Sequence, residues 1–317
     1  LIPPRVDPYR SSGRASPSVT VVASGSTGTE QMTVLGTEEA DAIEVTATQI
    51  RRGTETVGYT TSVNSLVVDG NSAADTFSIR SLTVPATING GDGNDFFFVS
   101  SDAPTGAGTL SAIDATLTIN GNAGTDSLQL SDRGNFVSTT GTLTNNAVTG
   151  LGLSSTGVNY DTVESLDIRL GNAAGHQFAV LSLDADVSAT LIGGAGSDTF
   201  TIGDVNAGGG ARTLDGVLGA LTIDAGNHGT GTSSLTVRGE THTVDSGDVL
   251  NIADSATAVT HSYSVSDLAV SRDGAGVIGY DNFETLNLQT GSEGDIVSVS
   301  STIAAGMTSI QTGAGAD

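Results

Sequence analysis

Two nine-residue stretches carry residues whose types and spacing could do chemistry. They are Gly90-Gly91-Asp92-Gly93-Asn94-Asp95-Phe96-Phe97-Phe98 and Gly193-Gly194-Ala195-Gly196-Ser197-Asp198-Thr199-Phe200-Thr201. Both follow the pattern G-G-x-G-x-D-x-U-x, where U is a large apolar residue. A carboxylate set among glycines offers oxygen ligands, which a hard divalent cation takes in preference to nitrogen or sulfur. Partial versions surround the complete ones: Gly70 to Asp75, Gly121 to Asp126, Gly291 to Asp295, Gly313 to Asp317 and, weaker, Gly36 to Asp41. His176 occupies the acidic position in another, and the lengthened turn from Gly226 to Leu235 has lost its Asp.

The whole chain leans the same way. Among its 317 residues are 35 acidic and 11 basic ones, a net charge of −24, and every basic residue is Arg. Without a basic surface, DNA, RNA and anionic membranes are poor partners, and cations are the natural ones. No apolar run approaches the roughly 18 residues that span a bilayer. The absence of Cys excludes a disulfide framework and thiol catalysis. The Leu1 start suggests a processed or excerpted chain. The bias toward Gly, Ser, Thr and Asp, with no Lys, points to a secreted bacterial protein.

These turns need elements to hold them. Residues 1–18 contain four of the six prolines and three Arg, and read as an extended arm or linker. From residue 19 to 317 the texture is uniform: short strands of alternating character between Gly, Asn and Asp turns, with no helical period. Tyr59, Tyr160 and Tyr280, 101 and 120 residues apart, each lead a strand of the same pattern. The chain is therefore about three copies of one unit, near 19–108, 109–209 and 210–317. Within a copy the turns ending in Asp75 and Asp95 lie 20 residues apart, and those ending in Asp295 and Asp317 lie 22 apart.

A step of 20 to 22 residues predicts an all-β parallel β-solenoid. In it Phe77 with Ile79, Phe97 with Val99, Phe178 with Val180 and Phe200 with Ile202 would stack as inward columns. A string of three β-sandwich domains is the competing architecture. The Tyr series reads as repeat packing rather than a sugar-stacking row, and Glu164 and Glu284 as outward turn or strand residues.

The complete nonapeptides resemble the RTX, or haemolysin-type, calcium-binding repeats of secreted bacterial proteins, and the chain looks like long repetitive extracellular proteins in which such motifs are scattered. That resemblance implies Ca2+ held between turns, with Asp95 and Asp198 as carboxylate ligands and carbonyls near Gly91, Gly93, Gly194 and Gly196. Asp75, Asp92, Asp126, Asp295 and Asp317 follow as further candidates. RTX tracts run their nonapeptides back to back, whereas this chain has one motif per step, so dense loading is not expected. Stacked pairs such as Asp75 with Asp95 would leave like charges facing each other about 4.8 Å apart, which a divalent ion converts into attraction. The metal-free reading is that Gly, Asn and Asp favour turns in any case and that stacked Asp residues can hydrogen-bond along the stack.

No H-E-x-x-H zinc motif and no G-x-S-x-G elbow occurs, and the Lys bases of β-helical polysaccharide lyases and epimerases are missing. The expected function is a non-catalytic structural one: a calcium-stiffened extracellular rod for a filament, matrix or surface fibre, self-associating head-to-tail or continuing into a longer chain. A carbohydrate-binding or adhesive module, with a surface polysaccharide as partner, is the alternative.

Overall fold

The computed structural model describes residues 18–21, 30–173, 175–205, 212–227, 232–237, 240–245, 247–304 and 306–317. The arm at 1–18 lies outside them except for Ser18, as do residues 228–231 of the lengthened turn. The described residues are all-β, without a helix, so none holds a helix long and apolar enough to cross a membrane. The chain divides into two compact units: residues 1–134 with 146–167, and residues 135–145 with 168–317.

Each unit is built on two mostly parallel sheets. In unit 1, one sheet runs in the order Ser18–Val21, Glu55–Tyr59, Gln49–Arg52, Ala42–Val45, Thr76–Ile79, Phe96–Val99, Ser127–Ser131. The other runs Gln31–Leu35, Ser65–Asp69, Ala86–Asp92, Leu117–Ala123, Val158–Asp161, Ala147–Gly150. From Gln31 onward the chain mostly alternates between the two, so parallel neighbours are strands from successive passes. In unit 2 the orders are Thr140–Thr144, Gln177–Val180, Thr199–Ile202, Val249–Ala253, Thr285–Gln289, Met307–Gln311, and Ser188–Ile192, Ala220–Asp224, Ile278–Asp281, Ala269–Arg272, Ser262–Val265, Ile296–Val299.

Period-two alternation decides which residues go inside. Phe77 pairs with Phe97 and Ile79 with Val99, and the two phenyl rings stack at 5.0 Å with a 9° interplanar angle. In unit 2 Phe178 pairs with Phe200 and Val180 with Ile202, and Leu250 and Ile252 continue both rows. All of these side chains are buried. Thin rows of Val, Ile, Leu and Phe thus supply the core, which explains why so few aromatics suffice.

The step between neighbouring passes is not the uniform 20 to 22 residues expected. The corner hydrogen bonds described below join residues 20, 22, 31, 34, 36, 38 and 50 positions apart. Inserted antiparallel strands absorb the difference. Gln49–Arg52 and Glu55–Tyr59 extend one pass, Thr232–Val237 and Glu240–Asp245 form a hairpin in another, and Ser262–Val265 folds back onto Ala269–Arg272. Closing a longer loop costs only a slowly growing entropy, so insertions leave the parallel pairing intact.

The Tyr residues end such insertions. Tyr59 closes the strand Glu55–Tyr59, and its hydroxyl donates to the Thr46 carbonyl. The Tyr280 hydroxyl likewise donates to the Ser266 carbonyl. With Tyr160 they are buried, so this series ties folded-back strands together.

Candidate functional site

The acidic turn residues stand at the corners between sheets, each one position before an alternating strand. There the neighbours form a column. In unit 1 the backbone amide of Asp41 donates to Asp75 Oδ1 at 2.7 Å, that of Asp75 to Asp95 Oδ1 at 2.7 Å, that of Asp95 to Asp126 Oδ1 at 2.7 Å, and that of Asp126 to Glu164 Oε2 at 2.7 Å. Each carboxylate therefore satisfies an amide of the preceding pass. A buried amide left unpaired would be costly.

Unit 2 repeats the device. The His176 amide donates to Asp198 Oδ1 at 2.8 Å, Asp198 to Asp248 Oδ1 at 2.6 Å, and Asp248 to Glu284 Oε2 at 2.6 Å. A further run joins the His261 amide to Asp295 Oδ1 at 2.8 Å and the Asp295 amide to Asp317 Oδ1 at 2.9 Å. His176 stands at the acid position because its Nδ1 also accepts, taking the Thr139 amide at 3.1 Å. A ring nitrogen thus takes the acceptor place that a carboxylate oxygen holds in the other passes.

The glycines explain the remainder of the motif. The second oxygen of Asp95 lies against Gly90, where a Cβ would collide with it and with the Gly121 carbonyl. Gly70 under Asp75 and Gly121 under Asp126 repeat this arrangement. Two residues before the acid the backbone is left-handed: φ is 73° at Ala73, 131° at Gly93, 149° at Gly124 and 100° at Gly196. Gly91 is also left-handed, at 108°, in register with Asn122. Gly194 approaches the Gly171 carbonyl, which leaves no room for a side chain.

Asp75, Asp95 and Asp126 are each 0% exposed, and the Oδ2 of each has no hydrogen-bond partner among the described residues. Burial raises the pKa of all three. The amide each accepts opposes that rise, and charge on neighbouring carboxylates adds to it for Asp75 and Asp126. Asp75 is pushed up to about 6. Burial raises the pKa of Asp198 too, opposed in part by the His176 and Gly194 amides that it accepts, the latter reaching its Oδ2 at 3.4 Å. The Asp295 Oδ2 accepts from Gly291 at 3.0 Å.

No family model, curated protein or solved structure matches the chain.

Of the residues singled out from the sequence, Asp75, Asp95 and Asp126 come together in one column, Asp198 stands in a second, and Asp295 with Asp317 in a third. Asp92 is exposed on its strand, with its amide on the Asn71 carbonyl. Glu164 and Glu284 are column members rather than outward residues. Asn64 plays the same part, its Oδ1 accepting from the Glu30 amide at 2.7 Å. Asp248 escaped notice, as did Asp132 and Asp254, which are buried and accept from the Leu110 and Leu214 amides at 3.0 and 2.9 Å. The signal for the column was an acid directly before an x-U-x-U strand, as in Asp248-Val249-Leu250-Asn251-Ile252, and not the full nonapeptide.

The columns differ in what they offer a cation. In unit 1 three stacked carboxylates each keep one orphaned oxygen, which a divalent ion or a proton would relieve. Asp198 and Asp295 keep none, since a backbone amide donates to each of their oxygens. Among the described residues no three His, Cys, Asp or Glu side chains converge as a metal cluster, so turn carbonyls would have to complete the six to eight oxygens that Ca2+ takes.

Proposed function

We propose that the chain is a non-catalytic segment of a bacterial extracellular rod, a β-solenoid in which each coil is tied to the next through its corner acid. The observation that carries this reading is the repetition of the amide–carboxylate bond, from Asp41 to Glu164 and again from His176 to Glu284. Identical links between coils give stiffness along one axis, and stability that sums over neighbours suits a protein whose product is length. Head-to-tail self-association, or continuation in a longer chain, extends it into a filament, matrix or surface fibre.

Calcium enters this proposal at Asp75, Asp95 and Asp126 alone. When bound there it would supply positive charge between stacked carboxylates. The competing way to relieve them is a proton.

Two measurements test the reading. Electron microscopy and small-angle scattering of the intact native polypeptide should show elongated particles or filaments, and a compact monodisperse globule at all concentrations would sink the rod. Melting at pH 7.5 with Ca2+ and with chelator should differ by several degrees, since a ligand that binds only the folded state stabilises it. Asp95→Asn keeps an oxygen for the Asp75 amide and removes one charge, so it should raise the melting temperature in chelator and shrink the calcium effect. Identical melts in both buffers would remove calcium from the proposal and leave the rod standing.

A further inference from the structure

Unit 2 carries a polar groove on the outer face of the strands that follow its corner acids. Thr201, Asn251 and Asn287 lie side by side on three parallel strands, in register across Thr199–Ile202, Val249–Ala253 and Thr285–Gln289. Their inward neighbours Ile202, Ile252 and Leu288 are buried, so this row faces outward. The Asn287 side-chain amide donates to Asn251 Oδ1 at 2.9 Å. Among the described residues that leaves Asn251 Nδ2, Asn287 Oδ1 and the Thr201 hydroxyl without partners.

Arg212 walls one end. Its short strand Arg212–Thr213 pairs with Asp204–Val205 immediately after the sheet strand, and its Nη1 donates to the Gly203 carbonyl at 2.6 Å. It forms no ion pair with a described residue, in a chain where acids outnumber bases three to one. Gln289 completes a groove of about 200 Å³.

The chemistry of these groups selects a ligand. An arginine fork matches a carboxylate bidentately, while a row of amides and a hydroxyl offers both donors and acceptors to neutral hydroxyls. Strands about 4.8 Å apart let consecutive sugar rings of an extended glycan address consecutive strands. The negative charge of the rest of the chain disfavours a dense polyanion.

We propose that this groove binds a hexuronate residue of an acidic glycan, with that sugar's carboxylate on Arg212 and ring hydroxyls of it and its neighbours on Thr201, Asn251 and Asn287. The site stands independently of the rod reading and of calcium.

Titration calorimetry with a tetramer of one galacturonate and three galactose residues, at physiological salt and in chelator, tests it. The expected result is saturable binding at one site, weakened at least tenfold by Arg212→Gln and severalfold by Asn251→Ala or Asn287→Ala. A neutral galactose tetramer should bind at least tenfold more weakly than the acid. Thermal melts equal to wild type would show that the outward substitutions leave the fold intact, and the two Asn variants keep the test decisive if Arg212→Gln disturbs its loop. Absence of saturable binding, variants that bind as wild type, or equal binding of the neutral tetramer would each overturn the proposal.

Discussion

The backbone amide of Asp75 donates to Oδ1 of Asp95 at 2.7 Å, although the two residues are 20 positions apart and both are acids. The carboxylate thereby replaces a ladder hydrogen bond at the corner, where the chain leaves one sheet for the other. Asp95→Ala should cost about 1–3 kcal/mol, because it strands the buried Asp75 amide. Asp95→Asn, which retains the acceptor, should lose nothing. Urea denaturation of both variants in chelator checks the contrast, and equal losses would show that the hydrogen bond is immaterial.

Proton uptake by the same column should stabilise the fold in mild acid. Asp75 has a native pKa of about 6, above the ordinary carboxylate value, with Asp95 and Asp126 raised in the same direction. A group that is easier to protonate when folded contributes stability that is fully present below its unfolded pKa and is lost as pH rises through the folded one. In chelator the melting temperature should therefore fall as pH rises from 5 to 7.5. Asp75→Asn should flatten that slope, and a melting temperature that rises over this window would contradict the assignment.

The stacked pair Phe77 and Phe97 carries the inner row of unit 1. Phe97→Ala should cost about 3–5 kcal/mol. A double-mutant cycle with Phe77→Ala should return a coupling of about 0.5–1.5 kcal/mol beyond simple burial. Strict additivity in urea denaturation would mean that the rings are not in contact.

Ala73 sits at a φ of 73°, where the equivalent residue of the next pass is Gly93 at 131°. Left-handed backbone costs a residue with a Cβ roughly 1–2 kcal/mol, partly offset by the greater entropy of glycine in the unfolded chain. Ala73→Gly should stabilise by about 0.5–1 kcal/mol. The reverse change, Gly93→Ala, should destabilise by more than that, since its Cβ would collide with the Ala73 carbonyl. Melting temperatures of the two variants check the signs.

In unit 2, buried Arg272 bridges Asp254 and Asp215 at 2.8 Å each, and the Tyr263 hydroxyl also donates to Asp254 at 2.6 Å. Arg272→Met would leave the buried Asp254 charge uncompensated and should cost about 3–5 kcal/mol. Adding Asp254→Asn should recover part of that loss. A double variant no more stable than Arg272→Met in chemical denaturation would refute the pairing.

The amino-acid sequence by itself determined the local matters. Alternation in Thr76-Phe77-Ser78-Ile79 and its relatives selects the buried face, because a strand points successive side chains to opposite sides. Glycine two positions ahead of Asp95, Asp126 and Asp198 marks the corner, because it accepts the left-handed backbone required there most readily. Only the tertiary structure decided which corners are neighbours. It placed His176, Glu164, Glu284 and Asn64 in the same role as the Asp residues, joined Asp198 to Asp248 across 50 positions, and set Arg212 at the end of the Thr201 row. Parallel pairing joins strands from different passes, and loop closure costs nearly the same for 20 residues as for 50, so spacing along the chain carries little information about adjacency in space.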